Sequence, residues 1–179
     1  GSVNIDSIGA TEEGVANMIA IGKKHITFVS ASLSNPINGQ YRLKGYKNAL
    51  VNANIPFDEA LVFECEPTLQ NGELLAPQLL EAGVDAAYVA GDELAIGLLN
   101  GIINAGVSVP EAFEVTASNN SRITEMARPK LTSIMLPLYD IGAVAMRLLT
   151  KIMNKEEIDE KSIILPYKIV NRGTTLPKK

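Results

Sequence analysis

Short apolar runs alternate along this chain with stretches of helical period. Val3–Asp6 predicts a short strand, and Thr11–Ile21 a helix with Thr11 as N-cap and Val15, Met18 and Ile19 on one face. Gly22 closes that helix, and the run HITFVSA over His25–Ala31 predicts a buried strand. Ser32–Gln40, rich in Ser, Asn, Pro and Gly, predicts a loop before a helix at Tyr41–Ala53. The alternation continues with strand Leu61–Cys65, helix Gly72–Ala82, strand Ala86–Ala90, helix Glu93–Ala105 and strand Phe113–Ala117. Strand centres about 25–35 residues apart match the span of a strand–helix–strand unit. Repeated units of that kind imply a parallel sheet with helices on both faces, so the predicted fold class is α/β. Pro129 and Pro137 then bracket a strand at Leu131–Met135, followed by a helix at Asp140–Asn154, a charged turn at Lys155–Lys161 and a strand-rich tail at Ile163–Arg172.

Composition narrows what such a fold can do. The 179 residues carry 16 Lys+Arg against 20 Asp+Glu, a formal charge of −4, which suits a DNA-gripping surface poorly. One cysteine, Cys65, allows no internal disulfide and reads as a core thiol in an apolar strand. One histidine, His25, leaves too few ligands for a zinc site and lies at the wrong end of its strand for a catalytic base. G-x-x-x-x-G-K-[ST], G-x-G-x-x-G and G-x-S-x-G are all missing, so no cofactor and no metal is expected. No apolar run approaches the ~20 residues that span a bilayer, no basic-then-apolar leader opens the chain, and Gly1-Ser2 reads as a cloning remnant. A binding domain fits this inventory better than an enzyme.

Ligands of an open α/β sheet bind beyond the carboxyl ends of its strands. There the sequence places Ser32, Ser34, Asn35 and Asn38, then Glu66 and Thr68, then Gly91-Asp92-Glu93, then Ser118-Asn119-Asn120-Ser121-Arg122. Hydroxyls, amides and single charges of this kind suit a polyol such as a sugar. They are also ordinary caps and turn residues: Asp92 reads equally as the cap of the helix at Glu93, and Arg42 as a solvated side chain.

The last helix carries an apolar stripe, Ile141, Ala145, Leu148, Leu149 and Ile152, spanning roughly 80° of the wheel. Beside it Asp140, Arg147 and Lys151 form a narrow polar line. Arg147 and Lys151 are a like-charged i,i+4 pair, mildly unfavourable in an isolated helix. Such a pair suits a phosphate or an acidic partner, and it equally describes a solvated face.

The runs PINGQYRLKGYKNAL, YVAGDELAIG, RPKLTSIMLPLYDIGAVAMRLLTKIMNKE and LPYKIVNRGTT together resemble the LacI/GalR transcriptional regulators, above all those that govern carbon catabolism. The resemblance runs in order from Val3 to about Thr175. That family sets a DNA-reading helix-turn-helix before a two-lobed core like the periplasmic sugar-binding proteins. The resemblance therefore implies the C-terminal, periplasmic-binding-protein-like lobe (residues 1–135), a crossover helix and strand of the other lobe (136–168), and a return strand and tail (169–179). Operator DNA would be read only through a headpiece that this chain does not contain, in a cytoplasmic homodimer with no membrane contact. The stripe on the last helix would lack part of its usual cover.

Site residues follow from the resemblance. Arg42 matches an arginine that contacts effector hydroxyls, and Asp92 an acidic ligand contact; with Ser32 and Asn120 they make the candidate effector site for a sugar or sugar phosphate. Ala117-Ser118-Asn119 replaces the family's Gly-Phe/Tyr-Asp, and Leu136 a frequent Gln. In the carbon-catabolite members the corepressor is a serine-phosphorylated phosphocarrier protein. Tyr139, Asp140, Arg147 and Lys151 match its contacts, and Lys168 stands where the family has arginine, keeping charge but losing the bidentate fork. The alternative is a sugar-binding protein of a transport system.

Overall fold

The computed structural model describes residues 2–156 and 162–177. Strand β1 (Ser2–Ile5) leads into helix α1 (Ser7–Ala20), then β2 (Ile26–Ser30), α2 (Tyr41–Asn52), β3 (Val62–Glu64), α3 (Leu69–Glu81), β4 (Ala86–Ala90), α4 (Asp92–Asn104), β5 (Glu114–Asn119), β6 (Thr132–Met135), α5 (Leu138–Met153), β7 (Ser162–Leu165) and β8 (Lys168–Val170). Six strands form one sheet in the order β3-β2-β4-β5-β6-β8, parallel except for β8, which runs against β6. The alternation of strand and helix thus produces the α/β fold its pattern predicts, because each crossover helix returns the chain to lay the next strand parallel to the last.

Every residue of β2 and of β4 is buried, which accounts for their unbroken apolar runs. One face packs under α3 and α4 around Leu79, Leu94, Leu98, Leu99, Ile102 and Phe113. The other packs under α1 and α2 around Val15, Met18, Phe28, Tyr46, Leu50 and Tyr88. Phe28 stacks on Tyr88 with centroids 6.0 Å apart. Helices α3 and α4 approach through glycine: a Cβ on Gly97 would collide with the Leu69 carbonyl, and one on Gly72 with that of Leu94.

The second sheet is small. β1 and β7 pair in parallel, Val3 opposite Ile163, and α5 packs on β1. Only Leu148 of α5 is buried, whereas Leu138, Tyr139, Met146, Leu149, Ile152 and Met153 are exposed. Parallel pairs are ordinarily covered on both faces, and two strands alone are marginal. The end of the predicted Lys155–Lys161 turn lies outside the described residues.

Three local readings are corrected. Thr11 is no N-cap: Asp6 accepts the Gly9 N–H at 2.8 Å and starts α1 a turn earlier, while Thr11 is buried and donates its hydroxyl to Tyr88 at 3.2 Å. Ser32–Gln40 is not all loop, because Pro36–Gln40 winds as a π-helix capped by Asn35, which accepts the Asn38 N–H at 2.9 Å. Asp92 does not cap α4; Gly91, at φ +149°, occupies that place and Asp92 is the first helical residue.

Candidate functional site

The carboxyl ends of the parallel strands converge on a polar surface, and the turn into α2 sets its first member. Gly39 lies so close to the Ser32 carbonyl that no side chain fits there, and the π-helix runs directly into α2. This buries Arg42 in the first turn, 7% exposed rather than solvated. The macrodipole disfavours a cation at that position, and the guanidinium reaches Asn119 Oδ1 at only 3.4 Å. Its fork of donors is therefore poorly used within the chain.

Asp92 is a different case. Its carboxylate accepts from the Ser121 N–H and Ser121 hydroxyl, each at 2.7 Å, and from the Ser133 hydroxyl at 2.9 Å. The Ser133 hydroxyl in turn accepts the Asn120 N–H at 3.0 Å. Asp92 is 5% exposed and clamps the loop after β5 to β6, with three donors already on its two oxygens.

Asn120 pairs with Arg172 rather than with Arg42. Its Oδ1 accepts from Arg172 at 2.7 Å, beside a surface cavity of about 400 Å³ that both residues line. Ser32 serves its own turn, accepting the Asn35 N–H at 3.3 Å and facing the Ser34 hydroxyl at 3.3 Å. The residue that does meet Arg42 is Asn119. The apolar pattern ends β5 at Ala117, two residues short of its observed end at Asn119, and so leaves Asn119 among interchangeable loop residues. The left-handed backbone at Asn119 and Asn120 sends their side chains to different partners.

Two buried hydroxyls complete the neighbourhood. The Ser118 hydroxyl is buried beside the Tyr88 phenol, which accepts from Thr11. Burial pushes the Tyr88 phenol up, with the nearby Arg42 guanidinium opposing that shift. Arg42 and Asn119 can thus bind an acceptor-rich small molecule. No nucleophile–base pair accompanies them in this neighbourhood, and no group of three or more His, Cys, Asp or Glu able to hold a metal occurs among the described residues. Cys65 is half-buried against the apolar core, where burial pushes its thiol up, and His25 is exposed at the far end of the sheet.

The second candidate surface is α5. Tyr139 is 88% exposed, and Asp140, Arg147 and Lys151 are exposed as well. Asp140 in the first turn and Lys151 in the last complement the helix dipole, which explains both without a partner. Arg147, mid-helix and one turn from Lys151, has no such explanation. Among the described residues neither cation has a carboxylate within 4 Å. Lys168 is exposed on β8 opposite Met135, at the foot of α5. Arg147 and Lys151 lie about 14 and 20 Å along the axis from Leu138, at the end of α5 that follows Met135, the residue opposite Lys168. No helix among the described residues is long and apolar enough to cross a membrane.

Comparison with known proteins adds the context. Residues 15–175 match the family described as periplasmic binding protein-like domain. The chain is 53% identical over 174 residues to catabolite control protein A of Streptococcus mutans, covering 97% of this chain and 52% of that protein. Among solved structures, the transcription regulator CcpA of Lactococcus lactis superposes with a TM-score of 0.90 at 44% identity, covering 98% of this chain and 64% of that one. A LacI family transcriptional regulator from Enterococcus faecium with bound ribose gives 0.87 at 26% identity, covering 99% and 66%. The chain spans about half the length of the curated relatives it matches.

Proposed function

The chain belongs to the periplasmic binding protein-like family, among relatives that include the catabolite control proteins, and from that premise we propose that it is the corepressor- and effector-binding part of a LacI-type transcription regulator of carbon catabolism. The lobe of residues 1–135, apart from β1, carries one wall of an effector cleft. Residues 136–168 contribute α5 and β7, which pairs with β1, to a second lobe formed mainly by other parts of the protein, and 169–179 return to the first. The protein works as a cytoplasmic homodimer whose operator affinity changes when a corepressor shifts the balance of its conformations.

The observation that carries this reading is α5. Most of its apolar arc is uncovered, with only Leu148 buried, as expected for a helix that packs against further parts of the protein, and Arg147 and Lys151, without a carboxylate partner among the described residues, are exposed. A seryl phosphate, with about two negative charges and three acceptor oxygens, suits that pair. The corepressor is accordingly a serine-phosphorylated phosphocarrier protein, bound by Tyr139, Asp140, Arg147 and Lys151, with Lys168 contributing charge near the foot of the helix. A sugar or sugar phosphate binds separately at Arg42 and Asn119. Asp92, Ser32 and Asn120 support that site through the loops they fix.

Calorimetric titration of the full-length regulator with the phosphocarrier, phosphorylated and not, tests the reading. The phosphorylated form should bind, the unphosphorylated form should bind far more weakly, and Arg147→Glu should abolish the difference while leaving Tm unchanged. Unaltered affinity in Arg147→Glu would make the basic pair a solvated face.

A further inference from the structure

Glu114 opens β5 with 0% of its surface exposed, and nothing in the effector or corepressor surfaces involves it. One carboxyl oxygen accepts the Leu176 N–H of the C-terminal tail, and the other has no partner. The tail is otherwise sewn to the same two strands. Thr174 accepts the Val115 N–H through its carbonyl at 3.0 Å, donates its hydroxyl to the Val115 carbonyl at 2.7 Å and accepts the Thr132 N–H at 2.8 Å. The Thr132 and Thr175 hydroxyls meet at 2.7 Å. Beside Glu114 lies a void of about 10 Å³, the size of one water, walled by Asn17, Thr116, Thr132, Asn171 and Thr175 among others.

This segment has a particular place in the fold. The chain leaves the small sheet at β7, enters the six-stranded sheet as β8, and ends in the tail that Glu114 holds.

We propose that Glu114 is a proton-operated clasp: the neutral carboxyl holds the tail of residues 173–177 against β5 and β6, and its ionisation releases that tail. A neutral carboxyl can donate from the unpartnered oxygen to a single water in the void while its other oxygen keeps the Leu176 N–H. An ionised one has that N–H and at most the one water the void can hold, and burying a charge so sparsely satisfied is costly. Two charged groups bear on it. Lys23, from the α1–β2 turn, favours ionisation, but it is 8% exposed and its ammonium is held by the Glu111 carbonyl at 2.9 Å. Asp85, at the start of β4, opposes ionisation, and its carboxylate is fixed by the Lys24 and His25 N–H groups at 3.1 and 3.0 Å. Burial is the largest influence on this carboxyl and pushes it up.

The test is an NMR titration of the 179-residue chain that follows the Glu114 side-chain carboxyl carbon together with the Leu176 amide. Both should titrate together, above the ordinary glutamate value of roughly 4.3. Across that step the amide-exchange protection of residues 174–176, corrected for intrinsic pH dependence, should fall at least tenfold. Glu114→Gln, which is neutral at every pH and keeps an acceptor for Leu176, should hold its tail protection constant through the same range. A Glu114 carboxyl that titrates at the ordinary value, or a tail whose protection falls equally in Glu114→Gln, overturns the proposal. If the variant does not fold, the wild-type titration decides by itself.

Discussion

Replacing Asp92 by alanine should cost the fold about 3–5 kcal/mol, because the carboxylate fastens three separate chain segments at once. It receives two donors from Ser121 and one from Ser133 while sitting in the first turn of α4. Hydrogen bonds to a charged group are worth roughly 1.5–3 kcal/mol each, and an acidic group at a helix N-terminus roughly 0.3–1. The gross sum is not recovered in full, since both serine hydroxyls can turn toward water or other acceptors once the site opens. The Ser121 N–H has no such freedom and is left unpaired, which sets the lower bound. For a chain of this length, roughly 2–4 °C of Tm is lost per kcal/mol, so the fall should be roughly 6–20 °C. Urea unfolding followed by circular dichroism measures it directly, with Glu93→Ala, exposed on the same turn, changing stability by about 0.5 kcal/mol or less. A loss under about 1 kcal/mol for Asp92→Ala would refute the clamp and return Asp92 to the ligand site.

Other expectations follow from the same geometry. Gly97→Ala forces a methyl group onto the Leu69 carbonyl at the α3–α4 crossing and should lose at least about 2 kcal/mol in the same urea assay; a neutral result would mean the helices part freely. Glu114→Gln should change the slope of stability with pH. A carboxyl pushed up in the folded state contributes stability that is full below its unfolded value, roughly 4.3, and is lost as pH rises through the folded value. Thermal melts from pH 4 upward should therefore show wild type losing ground to the variant, and parallel curves would contradict this. Because only Leu148 of α5 is buried, α5 amides should exchange well before those of α4, or the chain should self-associate with concentration in sedimentation; a monomer with α5 fully protected would refute both.

Much of the architecture was legible because it rests on periodicity. Ala86–Ala90 was placed to the residue, and α4 to within one, since a strand buried on both faces and a helix with a continuous apolar side leave unmistakable patterns. What escaped was local capping chemistry. Asp6 and Thr68 accept N–H groups of Gly9 and Asn71 and start α1 and α3 earlier than their apolar periodicity does. The five-residue π-helix before α2 has the Pro, Asn and Gly of a loop, and only its packing against the Ser32 carbonyl makes it ordered.

The sites were harder to read for a related reason. Residue type pointed to the loops at the carboxyl ends of the strands but not to the partners their side chains take. Asp92, the most suggestive acid, faces Ser121 and Ser133, whereas Asn119 meets Arg42. That choice depends on two left-handed residues in succession, and the spacing of hydrophobic positions carries no record of them. The apolar stripe of α5, by contrast, is visible in the sequence, and the family resemblance implies that part of its cover is missing; Leu149 and Ile152 are exposed, whereas Leu148 is buried and Ile141 half-buried.

The most direct test of the regulatory reading is to determine the roughly 160 codons upstream of Val3 in the gene, about one lobe and a small headpiece. A basic helix-turn-helix followed by a second α/β lobe is the predicted result; it would supply both the DNA-reading element and the cover for α5. A secretion signal leading into a sugar-binding lobe, with no DNA-reading element, would contradict the account and make the chain part of an exported receptor, with Arg147 and Lys151 a solvated face.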